Sequence, residues 1–491
     1  MTITSASPSY INVTVPFGAT LGHISVTNKT IGRIGQSTKP FNPTFIGGPI
    51  TTTSFGSKKD IISSFNIEGL QVADLDGDGW NDLAVANNEA NSINIYRNLE
   101  QGEGISLSTF APAVTFKTVG YSTNYGGLQI VDMDGDGKLD AVASVGKQFS
   151  AASFAILKNK STPGNIMFDT AIYVVGNSDE TPPYLVADID KDCRAEMIGG
   201  ESSNSVITYL WIAQNISNPE IIEFGSSRGY FNATVDAVSG VSISDLDNDG
   251  KPELLVSTGF GTYFSIIKNN STPGTLALKD LGSITTGQYN TSLQALDLND
   301  DGKNDLVWKK YGKIYIRLNT NSGAALSIND FATEIILDFT DEYNSGGITL
   351  SDINGDGRPD IVVTINGVGG VFENIYDGVT FNASSFKPIL KLTPLGVLSN
   401  PTNQIIADLN GDQKPDIIVG HSNNKISIFQ NNIAHSTNSV SNAFLQDLVI
   451  MPNPAESSLT IKLNAPAPIT STIQIGNSLG QEMTNKTFFG Q

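Results

Sequence analysis

The chain has 491 residues, 39% of them hydrophobic and 16% charged, enough apolar material for one large or several ordinary globular domains. Acidic residues outnumber basic ones 49 to 29, a formal charge of −20, so a phosphate-tracking nucleic-acid surface or a polybasic membrane patch has little to be built from. No run of about 18 apolar residues occurs, so no transmembrane helix is proposed, and 48 glycines with few helically periodic segments favour short strands joined by turns, an all-β chain.

At the start, Met1 to Pro8 carry neither the basic n-region nor the apolar h-region of a secretory signal, so the N-terminus is expected to be incomplete or trimmed. Further on, one nine-residue pattern, D-x-[DN]-x-D-x-x-x-[DE], recurs seven times, beginning at Asp74, Asp132, Asp188, Asp245, Asp297, Asp352 and Asp408. The separations of 58, 56, 57, 52, 55 and 56 residues are the period of a repeated supersecondary unit. Before each pattern stands a short run such as GLQVAD, GLQIVD or NQIIAD, read as strand A. After it come a second run (DLAVAN, ELLVST, DIVVTI, DIIVGH), strand B, and a third (INIYRN, FAILKN, YFSIIKN, KISIFQN), strand C. A looser fourth run, such as PAVTFKT or EIILDF, completes the unit as strand D. Four antiparallel strands per repeat of about 50 residues make a propeller blade.

The ends of the array supply a check. The seventh repeat stops at strand C, around Ile426 to Phe429, before the Ser/Asn/Thr-rich stretch Asn431 to Asn442. Upstream of the first loop, Phe41 to Phe55 resembles the segment preceding the second loop, a surplus strand D. The N-terminal strand is therefore expected to join blade seven and close the ring, removing open sheet edges.

Oxygens at positions 1, 3, 5 and 9 of each loop, with a backbone carbonyl at 7, suit a hard cation taking six to eight oxygens, and calcium fits best. In chain order the candidate ligands are Asp74, Asp76, Asp78 and Asp82; Asp132, Asp134, Asp136 and Asp140; Asp188, Asp190, Asp192 and Glu196; Asp245, Asp247, Asp249 and Glu253; Asp297, Asn299, Asp301 and Asp305; Asp352, Asn354, Asp356 and Asp360; and Asp408, Asn410, Asp412 and Asp416. Glycine at position 6 permits the positive φ that wraps the loop; Cys193 and Gln413 stand there in loops three and seven, which are expected to be strained or weak. An EF-hand would need a bidentate Glu at position 12, where Val85, Ala143, Gly199, Val256, Trp308, Val363 and Val419 stand. The alternative is a set of metal-free Asx turns. Against it, the candidate ligand positions hold 25 of the 49 acidic residues, and crowding carboxylates into one turn without a cation raises their pKa values and opposes folding. Up to seven calcium ions are expected, and weak sites of this kind saturate only in millimolar calcium outside the cytosol.

These repeats, over about Phe41 to Asn432, resemble the FG-GAP or VCBS repeats of integrin α-subunit propellers and of many bacterial surface proteins. The resemblance implies structural calcium loops between strands A and B on one face, with ligands docking on the opposite face. This chain departs from integrins in carrying the loop in all seven blades and in lacking an inserted ligand-binding domain. Tyr10 to Phe41 resembles the last strands of an Ig-like IPT/TIG module. Leu448 to Met483, with PNP at Pro452 to Pro454 and LGQ at Leu479 to Gln481, is similar to the sorting tail of type IX secretion in Bacteroidetes, short of its final strands. The expected division is a module remnant at 1–40, the propeller at 41–432, a linker at 433–446 and a partial sorting domain, a small Ig-like β-sandwich, at 447–491.

His23, His421 and His435 are not paired by spacing with other ligands, and no nucleophile elbow, zinc-protease or P-loop motif occurs. Trp80, Trp211 and Trp308 could stack on sugars or pack between blades. The single cysteine, Cys193, excludes an internal disulfide framework. The expected function is a monomeric, secreted or cell-surface binding or adhesion module for a protein or glycan, and not an enzyme, with type IX machinery as a partner if the tail is complete. The alternatives are a secreted carbohydrate-active or other hydrolytic enzyme and a passive spacer.

Overall fold

The computed structural model describes residues 47–434 apart from short connections, the longest being 119–126, 176–183, 201–207, 340–346 and 393–400. Outside that range it describes only the backbones of strands Thr2–Ser7, Tyr10–Thr14, Gly22–Asn28, Arg33–Phe41, Val449–Ile450, Ile461–Lys462, Thr470–Gly476 and Glu482–Phe489, which pair as four separate two-stranded ladders. By contacts, residues 17–434 form one compact unit and residues 1–16 with 435–491 another. Most of the linker expected at 433–446 lies outside the described residues.

Seven four-stranded antiparallel sheets follow one another, each in the order A-B-C-D. Blade one consists of Ile67–Ala73, Asp82–Asn87, Ser92–Tyr96 and Val114–Lys117; blade four of Val238–Ser244, Glu253–Thr258, Tyr263–Asn269 and Leu278–Thr285. Blade seven takes strands A to C from Pro401–Ala407, Asp416–His421 and Lys425–Phe429, and strand D from Lys59–Ile62 far upstream. The ring is thus a closed, seven-bladed β-propeller, and among the described residues the only helices are three single-turn 3-10 helices.

Closure occurs as the sequence implies, but with a later segment than Phe41 to Phe55. In blades one, two, three, five and six a phenylalanine (Phe110, Phe168, Phe224, Phe331, Phe386) bridges an asparagine at the end of strand C, and strand D begins four residues on. Phe55 does the same against Asn431, which places the closing strand at Lys59. Thr44-Phe45 imitates Thr109-Phe110, and this imitation sets a purely sequential alignment ten residues early; residues 42–46 lie outside the described residues.

Strand B is buried on both sides because each blade stacks between two others. Every residue of Asp82–Asn87 and of Asp416–His421 is buried, so the residues between the opening acid and the closing Asn87 or His421 are apolar without alternation. Successive residues serve different neighbours: Ala84 and Ala86 join a cluster with Ala141, Ala143 and Ala155 of blade two, whereas Leu83 and Val85 join one with Ile418, Ile426 and Ile428 of blade seven. Seven such clusters occupy the seven blade junctions, including the one that closes the ring. Each Leu, Ile or Val buried there contributes about 1.5–3 kcal/mol. Trp211 and Trp308 belong to these junctions; Gly199 opposite Trp211 leaves the space its indole fills, since a Cβ there would lie 2.5 Å from the ring.

The asparagine that ends strand C is a second, polar seam. Asn98, Asn159, Asn215, Asn269, Asn319, Asn374 and Asn431 each donate both amide hydrogens at 2.7–3.2 Å. One acceptor is the carbonyl just before strand B of the same blade. The other is the second carbonyl of the preceding blade's A–B loop, from Leu75 O for Asn159 round to Leu409 O for Asn98. Each amide satisfies two buried carbonyls that no strand ladder reaches.

Candidate metal centres

The A–B loops sit at these junctions and share one backbone shape. Positions 4 and 6 have positive φ in all seven: glycine holds most of these places, but Lys191, Asn248 and Asp300 adopt 60°, 58° and 57° at position 4, and Cys193 and Gln413 adopt 68° and 65° at position 6. Non-glycine residues other than asparagine and aspartate are strained in this region, so Cys193 and Gln413 carry the strain expected of them, and Lys191 adds a second strained place in loop three.

Position 1 organises the turn. Asp74 accepts from Gly77 N and Gly79 N at 2.8 and 2.9 Å, and Asp132 accepts likewise from Gly135 and Gly137. Position 9 opens strand B and is fully buried in every loop. One of its oxygens accepts the position-2 amide, as in Leu75 N to Asp82 and Leu409 N to Asp416, both 3.0 Å. In blades one, two, five, six and seven the other accepts the backbone N–H of the seam asparagine.

Loops one to four each bring three of their sequence-predicted carboxylates together. Oxygens of Asp74, Asp76 and Asp78, of Asp132, Asp134 and Asp136, of Asp188, Asp190 and Glu196, and of Asp245, Asp247 and Asp249 each converge within 4.8 Å. Burial first, and the neighbouring carboxylates after it, push position 9 up: Asp82 and Glu253 to about 7, Asp140 and Asp305 to about 8, Glu196 to about 9. Asp360 and Asp416 are raised as well. Loop three shows the demand for a cation most plainly, because Asp188 Oδ1 and Glu196 Oε1 are buried with no hydrogen-bond donor. Acid groups in this arrangement can hold a metal ion: the charge that burial makes costly is the charge a cation neutralises.

Neighbouring side chains answer part of that demand. The residue just before the seam asparagine reaches into the loop of its own blade in blades one to four: Arg97 Nη1 lies 3.3 Å from Asp78, Gln214 Nε2 lies 3.2 Å from Asp190, Lys158 pairs with Asp134, and Lys268 with Asp247, Asp249 and Glu253. Leu318, Glu373 and Gln430 hold this place in blades five to seven; Leu318 packs into a junction cluster, and Glu373 and Gln430 accept from Ile50 N and Ile105 N. The adjacent blade contributes also: Gly164 N of blade two donates to Asp76, and Gly274 N of blade four to Asp190.

Of the remaining candidates, His421 is buried with Nε2 2.8 Å from Ser427 Oγ, and Ser427 Oγ donates to Asp60 of the closing strand. His435 and the side chain of His23 lie outside the described residues.

A family model described as an FG-GAP-like repeat matches residues 74–143, 245–308 and 297–363, stretches that include loops one, two, four, five and six. No curated protein matches the chain. Among solved structures, an Agrocybe aegerita lectin that recognises non-reducing terminal N-acetylglucosamine is 15% identical, with a TM-score of 0.46 over 77% of this chain and 90% of that one. BBS1N in complex with ARL6DN is 11% identical, with a TM-score of 0.48 over 78% of this chain and 98% of that one. The chain is a seven-bladed β-propeller, and five of its seven A–B loops lie in stretches that the FG-GAP-like repeat model matches.

Proposed function

We propose that the chain is an extracellular or cell-surface binding module for a protein or glycan, in which the A–B loops hold calcium as a structural cofactor. The observation that carries the calcium reading is the pair of orphaned buried oxygens in loop three, on Asp188 and Glu196. Hard oxygen donors at this spacing suit calcium before any softer metal. At each occupied site the position 1, 3, 5 and 9 groups would hold the ion, which would supply positive charge to a blade junction and no chemistry to a substrate.

The same geometry separates the loops from recognition. Their carboxylates are bonded to backbone amides at the junctions, and the A–B and C–D connections leave the sheets at one face while the B–C and D–A connections leave at the other. Ligand recognition belongs, in this reading, to the second face. Hydrolysis by paired carboxylates needs two acids facing one bond; among the described residues of the seven A strands, which line the centre of a propeller, Glu68 is the one acid. The flanks 1–40 and 447–491 are assigned to the module remnant and sorting tail that they resemble, which fits export.

The test is to incubate the chain in millimolar calcium with insoluble polysaccharides and matrix proteins, scoring retention and cleavage together. Retention with the polymer intact is expected. Cleavage would replace this reading with the enzyme, and neither outcome across a broad panel would leave a spacer.

A further inference from the structure

Blade four differs from the others in what fills the middle of its loop. Lys268 Nζ lies 2.9 and 2.7 Å from the two oxygens of Asp247, 2.7 Å from Asp249 Oδ2 and 2.9 Å from Glu253 Oε1. These are the position 3, 5 and 9 groups. An ion taking the same oxygens would need them at about 2.3–2.6 Å from its own centre, so the ammonium and the ion compete for one space. We propose that Lys268 is a tethered cation that takes the place of calcium in blade four, so that this loop is closed by the chain itself and stays metal-free while other loops load.

Blade three is the natural control. It has the same four-acid set with a glutamate at position 9, but Gln214 stands where Lys268 stands and makes one contact to Asp190. There Glu196 Oε1 has no donor, whereas in blade four the equivalent Oε1 of Glu253 receives Lys268. Lys158 in blade two is a weaker version: it pairs with Asp134, lies 3.4 Å from Asp136 and donates to Pro219 O of blade three, without reaching position 9. An ammonium has a fixed single charge and three hydrogens, so it neutralises one of four carboxylates and cannot be removed by chelation.

The proposal rests on the calcium reading, and its experiment separates the two. Bound calcium per chain is measured by equilibrium dialysis followed by elemental analysis for the wild type, Lys268→Met and Lys268→Gln, all refolded and dialysed in the same millimolar calcium. Lys268→Gln reproduces the arrangement of blade three, which provides a foldable variant if the methionine is not tolerated. The expected result is one additional calcium per chain in either variant. Several ions in the wild type and the same number and affinity in both variants would overturn the role of Lys268 while leaving the calcium reading in place. No ion in the wild type and one in the variants would overturn calcium in the other loops and support Lys268; no ion in any of the three would overturn both.

Discussion

Blades one to four and blades five to seven solve one electrostatic problem in two ways. The first group carries four carboxylates per loop, and a side chain from the end of strand C, Arg97, Lys158, Gln214 or Lys268, donates into it. The second carries asparagine at position 3 (Asn299, Asn354, Asn410), with Leu318, Glu373 and Gln430 at the end of strand C. Cations at position 7 do not follow this division, since Arg194 pairs with Asp192 in blade three as Lys414 does with Asp412 in blade seven. Where position 3 is aspartate, the residue at the end of strand C donates into the loop. Similar loops can therefore differ in how much of their charge is left for an ion.

The largest effect is expected from pH, because position 9 is buried in both groups and sets their common background. Folded-state pKa values raised from 3.8 to about 7 for Asp82 and about 8 for Asp140 and Asp305 favour the protonated fold. Their stabilising contribution is complete below the unfolded pKa and is lost as pH rises through the folded one. Without calcium, the melting temperature should fall between about pH 4 and pH 8, and the increment added by calcium should grow over the same interval. A metal-free melt that rises across that interval would contradict the burial argument.

The next effect tests what the two groups share. Asn319→Ala leaves Leu246 O and Asn304 O without the amide that now satisfies them, a loss of about 3 kcal/mol. Asn98→Ala should cost a similar amount in the other group, and urea unfolding of both would show whether the seam is indifferent to loop class.

The groups can also be converted. Asn354→Asp removes the amide that donates to Asp356 Oδ2 at 3.3 Å and adds a fourth carboxylate to a loop with no donor from strand C. Stability in EGTA should fall by about 1 kcal/mol, while calcium affinity at that loop rises several-fold in titration calorimetry. An unchanged pair of values would show that position 3 does not set the charge balance. The smallest change is Cys193→Gly, which relieves a residue at φ 68°. Relief of strain, offset by the greater freedom of glycine when unfolded, leaves a gain of about 0.5 kcal/mol, visible as a slightly higher urea midpoint.

Much of this architecture is legible in the sequence because the loop motif recurs at the blade period and each strand B carries an apolar run after its opening acid. Copy number, strand order and ring closure follow from it, as do the three carboxylates that converge in each of loops one to four. The position of the closing strand does not, since Phe45 and Phe55 offer rival alignments and only the bridge to Asn431 decides between them. Position 4 escapes notice because Lys191, Asn248 and Asp300 break the glycine pattern at a place whose φ is still positive. The seam asparagines are visible as the last letter of INIYRN, FAILKN and KISIFQN, but their acceptors lie in a neighbouring blade. Lys268 is 15 residues beyond Glu253 and reaches it only because strands B and C pair.

The central claim is that cations at the blade junctions hold the ring together, and thermal unfolding at neutral pH in millimolar calcium and in EGTA tests it most directly. Each site held at ten times its Kd adds about 1.4 kcal/mol, so several occupied sites should lower the melting temperature by many degrees on chelation. The same melting temperature in both solutions would contradict the account.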